Sequence, residues 1–510
     1  MTDFIDLENF FKKFDRKLIL AADAEPIVHK KEKGKIITQI PAGGVGVALE
    51  PIARASNAIY VARGKDEIDK EVLNKNNEVI LNPNTRNEFL LKRLFFKDED
   101  FNSYYYGFAN QTLWPLCHVA FSRPEFNPDW FEGYKKVNKG YADAIKPYIK
   151  QKSLIWINDY QLALVPSFLN KPKDTLIGLF WHIPWPTWEI FRILPQKKEI
   201  LESLLMCDYI AFHRGYQAQN FIRTVEREFE ARVDHETNRL FYKNHATTVT
   251  SLPMGIDTDR IKDTLSPYQG ESIITTVVKS LLGINNKNEQ LPKEKDTKEI
   301  DEFFSKNKVI LGVDRLDYTK GLKLRLRALS LFFEKNPKYI GNVSYLGVLS
   351  PSREKIPAYE RLKKEVFALE KDINEKYKRK DWQPIHLVSG VYNRPEILSL
   401  YKKAQVALVT PLDDGMNLVS KEFIVAASTS QDPGVLILSQ FAGSSIDLTQ
   451  SLIINPYDIK EVADAIKKAL EMPKSERIKT TEQMERTLEE RNVYSWAMKF
   501  IKETEETAEK

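Results

Sequence analysis

The stretch "TPLDDGMNLVSKEF" (410–423) sets Asp413 and Asp414, then Gly415, Met416 and the amide of Asn417, in front of a predicted helix. Glu422 follows about two turns on. A helix start holds anions, because its first N–H groups lack backbone partners and its dipole end is positive. Acids placed there need another task. A second stretch, "GVDRLDYTKG" (312–321), closes an apolar run with Arg315 and Lys320 on one loop, and Gly321 lets the chain turn. Two permanent cations suit a diphosphate whose oxygens gain charge as it departs. If Asp414 and Glu422 ride on one helix, its rise of about 1.5 Å per residue separates them by roughly 10–12 Å. That is the reach from a sugar hydroxyl to a ribose hydroxyl across a diphosphate. The set therefore reads as a nucleotide-sugar site, with acids on the hydroxyl-rich ends and cations on the charged middle. The plainer alternative is a surface ion pair of Arg315 with Asp314 or Asp317, beside an N-cap Asp and an incidental Glu.

The first half offers its own candidates. "LFWHIPWP" (179–186) puts His182 at the end of an apolar run, and "IWINDYQLALVP" (155–166) does the same for Asp159. "YYYGFANQTLWP" (104–115) crowds Tyr105, Tyr106 and Trp114, whose faces can stack on sugar rings, although plain core is the commoner use of such residues. "PAGGVGVAL" (41–49), with Gly43 and Gly44, lacks the spacing of a dinucleotide fingerprint or a phosphate loop. "SPSREKIPAYERLK" (350–363) places Arg353 directly after a strand, where it can anchor a phosphorylated substrate.

Positioning these residues is the work of short apolar runs alternating with helix-period segments. The runs are 17–24, 58–64, 154–159, 176–182 and 209–213, then 309–315, 343–349, 385–390, 406–412, 435–441 and 452–456. Continuous apolar strands between helices predict parallel sheets covered on both faces. There are too many for one sheet, so the fold class is α/β, with two doubly wound Rossmann-like domains facing a central cleft. The division is expected after "SLPMGID" (251–257), with a final helix from 485 to 510, carrying Trp496, Met498 and Phe500, packing back on the first domain.

Composition narrows the class further. Lys plus Arg number 76 against 71 Asp plus Glu, a net charge of +5 without a clustered basic face, which argues against a nucleic-acid partner. The Lys runs at 29–35 and 291–299 are mixed with acids and read as solvated loops. Two cysteines, Cys117 and Cys207, lie in apolar surroundings, so neither a disulfide framework nor a metal site is expected. No signal peptide or membrane span is evident, and the protein reads as cytoplasmic, with self-association left open.

Together these stretches resemble the trehalose-6-phosphate synthase family, retaining glycosyltransferases of the GT-B type, over residues from about 17 to about 475. "GVLILSQFAG" (434–443) and "INPYD" (454–458) resemble it too. The resemblance implies glucose transfer from UDP-glucose to glucose 6-phosphate, without cofactor or active-site metal. It implies that Arg315 and Lys320 bind the donor diphosphate, and that Gly43 and Gly44 close over the donor. Asp414 would hold glucose hydroxyls, with Gly415, Met416 and Asn417 beside it. Leu418, Val419 and Glu422 would hold phosphate and ribose, and Tyr392 would border the uracil. His182 would lie beside the transferred sugar, and Tyr105, Trp114, Asp159 and Arg353 would contact the acceptor. The catalytic set so implied is His182, Asp159, Arg315, Lys320 and Asp414. With no phosphatase segment after about 480, removal of the phosphate is expected of a separate enzyme.

The chain departs from the family in three places. Ala24 stands where the family's first strand is followed by an Arg that grips the acceptor phosphate, leaving His29, Lys30, Lys31 or Arg353 to substitute. Family histidines near Asn158 and Gln161 are absent, and Asp413 replaces a frequent Arg. The alternatives are glycerol 3-phosphate or another polyol as acceptor, or a non-catalytic sugar-phosphate sensor.

Overall fold

A computed structural model of the chain describes residues 2–508 apart from 33, 40, 42, 43, 66, 267–303, 305 and 391. Gly43 and the Lys-rich stretch at 280–300 lie outside the described residues. The chain divides into two compact units, Met1–Gly255 with Val493–Lys510, and Ile256–Asn492.

The first unit contains strands β1 (Lys17–Ala21), β2 (Val28–Glu32), β3 (Lys35–Gln39), β4 (Ile59–Arg63), β5 (Glu78–Leu81), β6 (Phe89–Leu94), β7 (Ser153–Asn158), β8 (Leu176–Phe180), β9 (Tyr209–Phe212), β10 (Arg232–Asp234), β11 (Arg239–Tyr242) and β12 (His245–Ser251). Ten of them form one sheet in the order β10-β11-β12-β9-β8-β7-β1-β4-β6-β5. Its centre, β6-β4-β1-β7-β8-β9, is parallel throughout. Every residue of β7, β8 and β9 is buried, as both-face coverage requires. The strand order reverses between β1 and β7, and ligands of such sheets bind beyond the carboxyl ends at that point.

Residues 29–32 and 35, expected in a loop, instead form half of the paired residues of β2 and β3. Lys30 and Lys31 stay exposed there, while His29 turns inward and is 6% exposed. A solvated charge run thus also holds a buried anchor.

The helix Val493–Glu506 completes this unit by burying Trp496 and Phe500. The Phe500 ring stacks on the fully buried Trp156 at 4.1 Å and 13°. Gly178 in β8 makes room for it, since a Cβ there would sit 2.8 Å from the Phe500 ring. Gly178→Ala is expected to cost about 1–3 kcal/mol through overpacking, read as a lower urea midpoint. The preceding helix, Lys474–Glu490, belongs to the second unit, where Met484 and Leu488 share a core with Phe423.

The second unit holds β13 (Lys308–Arg315), β14 (Val343–Ser350), β15 (Ile385–Ser389), β16 (Val406–Val409), β17 (Val435–Ser439) and β18 (Leu452–Ile454). They form a wholly parallel sheet in the order β15-β14-β13-β16-β17-β18. Here the order reverses between β13 and β16. Arg315 ends the first of these strands, and 410–414 follow the second. In the first unit Ala24 comes shortly after β1, and Asp159 directly follows β7. Each unit thus carries its nominated residues at its own reversal point.

Candidate active site

In the second unit, Asp414 lies ahead of the helix rather than on it. The helix runs Leu418–Ser428, and Asn417, at φ 72°, is its N-cap. The axial spacing of 10–12 Å that one shared helix implies therefore does not apply, because residues 414–417 bend before the axis begins. Asp414 instead forms a bridge with Ala442, and its Oδ2 accepts from Lys320 Nζ at 2.5 Å and from Asn417 Nδ2 at 3.1 Å. Asn417 Oδ1 accepts from the Ser420 N–H, so this one amide fixes both the acid and the helix start. Gly321, at φ 69°, turns the Lys320 loop so close to Thr410 that a Cβ would meet its carbonyl oxygen at 2.3 Å. Only glycine fits there.

Arg325 braces the same corner. Fully buried, it donates to Asp314 Oδ2 (2.6 Å), Thr410 Oγ1 (2.8 Å), the Tyr345 hydroxyl (3.0 Å) and the Lys320 carbonyl (3.3 Å), joining the loops after β13 and β16. It engages Asp314, while Arg315 faces Asp317 at 3.7 Å. Arg315 is 42% exposed and so stays available to a ligand. Asp317 is shared with Arg353 at 3.1 Å, and Tyr359 packs on both. Burial pushes the Asp317 carboxyl up, but Arg353, Arg315 and Lys320 outweigh it and hold it below its ordinary range. Glu422 is buried and accepts from Arg394 Nη2 at 3.0 Å, and Tyr392 is buried more deeply still. Burial raises the Glu422 carboxyl, and Arg394 opposes the rise.

In the first unit, Asp159 holds φ 76°, a conformation that costs an L-residue roughly 1–3 kcal/mol and clusters at functional sites. Its carboxylate accepts from the His182 N–H at 3.0 Å. The His182 ring sits in a relay. Met254 N–H donates to His213 Nδ1, so His213 Nε2 donates to His182 Nδ1 at 3.3 Å, and His182 Nε2 donates to Asn158 Oδ1 at 3.1 Å. Burial lowers the His182 pKa to about 3. With both ring nitrogens hydrogen-bonded inside the fold, the neutral imidazole is held in one orientation.

The aromatic stretch folds as a π-helix, Asn102–Leu113. Asn110 and Gln111 donate to the carbonyls of Tyr105 and Tyr106, and the Tyr160 hydroxyl bonds Asn110, tying this helix to the loop after β7. Tyr105 lies parallel to Phe101 at 5.3 Å, and Trp114 is buried against His118 at 4.0 Å. Gly44, at φ 98°, caps the helix Val45–Ser56. Among the described residues no group of three or more His, Cys, Asp or Glu could hold a metal, and no helix is long and apolar enough to cross a membrane. Arg325, Arg394, His213 and Asp317 were not legible as site residues, because each acts through a partner distant in sequence.

A family model described as Glycosyltransferase family 20 matches residues 15–282 and 278–506. The UDP-forming α,α-trehalose-phosphate synthase of Candida albicans is 32% identical over 493 residues, covering 96% of this chain and 97% of that one. The Dictyostelium discoideum synthase A is also 32% identical over 96% of this chain, which spans 62% of its length. A trehalose-phosphate synthase from Burkholderia xenovorans in complex with glucose 6-phosphate has a TM-score of 0.78 at 28% identity, over 96% of this chain and all of that one. A structure from E. coli bound with UDP-2-fluoro glucose reaches 0.80 at 27% identity, over 96% and 98%.

Proposed function

Because the chain belongs to glycosyltransferase family 20, we propose that it moves glucose from UDP-glucose to glucose 6-phosphate with retention, giving α,α-trehalose 6-phosphate and UDP. The observation that carries this reading is the reversal point of the second sheet, where Lys320, Asp414 and Asn417 interlock ahead of a helix start and beside the exposed Arg315. The glucosyl C1–O bond to the diphosphate breaks as the acceptor hydroxyl attacks from the same face. The hydroxyl proton passes to a phosphate oxygen, and UDP leaves. Arg315, Lys320 and the helix start at Leu418 and Val419 offset the charge gained by that leaving group. Asp414 takes glucose hydroxyls, Glu422 the ribose, and Tyr392 borders the uracil, with Gly43 and Gly44 over the donor. His182 and Asp159 position the reacting sugars, and Tyr105, Trp114 and Arg353 hold the acceptor. Rate enhancement is positioning and charge compensation, with no side chain serving as general base.

Purified protein incubated with UDP-glucose and glucose 6-phosphate, glycerol 3-phosphate or an unphosphorylated polyol tests this through UDP release. Turnover confined to another acceptor would overturn the acceptor half, a second reading that Ala24 favours. The Glu422 role makes its own prediction. Arg394→Ala removes the group opposing protonation of a buried carboxylate, so the Glu422 pKa rises further. As pH is lowered, UDP affinity by calorimetry is then expected to begin weakening at a higher pH in the variant than in the parent.

A further inference from the structure

Position 24 is Ala, and of the four cations that the sequence offers in its stead the structure engages three: Arg353 with Asp317 at 3.1 Å, and His29 and Lys31 with acids of the first unit. His29 is buried, its Nδ1 facing Asp69 at 3.3 Å and Arg93 at 3.0 Å, and burial with Arg93 lowers its pKa against the pull of Asp69. Arg93, fully buried, is shared by Glu25 and Asp69 at 3.0 and 3.1 Å. Lys31 reaches Glu71 at 3.6 Å on the exposed side of the hairpin.

The neighbouring strand ends differently. β4 runs parallel to β1 with Val61 opposite Ala21, and it closes on Arg63. Arg63 Nε and Nη2 fork onto Asp23 Oδ1 and Oδ2 at 3.2 and 3.5 Å, and the Tyr104 hydroxyl donates to the same Oδ1 at 3.0 Å. The guanidinium lies over Phe101 at 4.4 Å and over Tyr105 at 5.8 Å. Among the described residues none accepts from Nη1, and the side chain is 14% exposed, so that edge stays open. A guanidinium pinned on one edge and one face is already ordered, and loses little freedom when its remaining edge meets an oxyanion.

We infer that Arg63 is the cation that anchors the phosphate ester of the acceptor sugar, displaced by one strand from the position that Ala24 leaves without a charge. Asp23 keeps the guanidinium oriented, and Tyr105 gives the sugar a face beside it. This rests on the proposed acceptor reading, and it makes Arg63 a residue that distinguishes a phosphorylated acceptor from its plain sugar.

The test compares the parent with Arg63→Gln and Arg63→Lys in steady-state assays on UDP-glucose with glucose 6-phosphate and with glucose. In Arg63→Gln, kcat/KM for glucose 6-phosphate is expected to fall about 10- to 100-fold, while that for glucose and the KM for UDP-glucose change little. Arg63→Lys should fall between the two. Unchanged use of glucose 6-phosphate would overturn the inference. So would equal losses with both acceptors, since these would reflect a disturbed fold. A parent enzyme that ignores glucose 6-phosphate refutes the acceptor assignment instead, and the same comparison then uses the preferred ester and its alcohol.

Discussion

Lys320→Ala is expected to lower kcat/KM for UDP-glucose by about 10²- to 10³-fold, the usual loss when one preorganised donor to a developing negative charge is removed. The ammonium has three N–H groups and spends one on Asp414, so it can bridge that acid and a departing diphosphate at once. Both side chains of the pair are partly open, 13% and 16% exposed, and Asn417 still holds Asp414 when Lys320 is gone. The fold should therefore lose about 1–3 kcal/mol, the cost of leaving a mostly buried carboxylate short of one donor. UDP release assays beside thermal melts separate the two effects. Near-parent turnover in the variant would remove the diphosphate assignment. The double variant with Asp414→Asn should lose less than the sum of the single losses, because the two residues act as a unit.

Lys421→Met should have the largest effect on stability. Lys421 and Asp447 are both fully buried and joined at 2.7 Å, tying the helix that follows Asn417 to the turn Gly443–Ile446. Arg491 Nη1 also reaches Asp447 at 2.7 Å, but its side chain is 57% exposed. Removing one partner of a buried pair leaves an uncompensated charge, at a cost of about 3–5 kcal/mol, whereas replacing both by apolar residues is often nearly neutral. Lys421→Met should therefore lower the denaturation midpoint sharply, and Lys421→Met with Asp447→Leu should recover much of the loss. Burial raises the Asp447 carboxyl, yet Lys421 and Arg491 outweigh it, so its folded pKa lies below the unfolded one. The Asp447 contribution is then complete above the ordinary carboxylate pKa of about 3.9 and is lost as pH falls through the lower folded value. Burial lowers the Lys421 ammonium despite Asp447, so this window belongs to the acid alone.

The sheet centres were legible in the sequence because strands buried on both faces must be apolar without interruption, as in "SLIWIN" and "VILGVDR". The edges were not. β12, "HATTVTS", is half-polar because one side of it is less covered, and β6, "FLLKRL", alternates buried and half-buried residues. Neither gives a continuous run. Within the site, Arg315, Lys320 and Asp414 stood out by type and spacing at strand ends. Their braces did not, since Arg325 reads as one more basic residue on a helix until its contacts with Asp314, Thr410 and Tyr345 form. The Asp414–Glu422 spacing failed for a local reason, because the left-handed Asn417 starts the helix four residues later than a continuous pattern suggests.

The helix Val493–Glu506 sets an order of events on the ribosome. Trp156 and Gly178 are translated early, but the ring that fills the space between them belongs to Phe500, beyond the whole second unit. At about 5–20 residues per second that wait is roughly 15–70 s. During it the Trp156 ring lacks the partner that covers it in the finished fold, and leaves an apolar face for chaperones to bind.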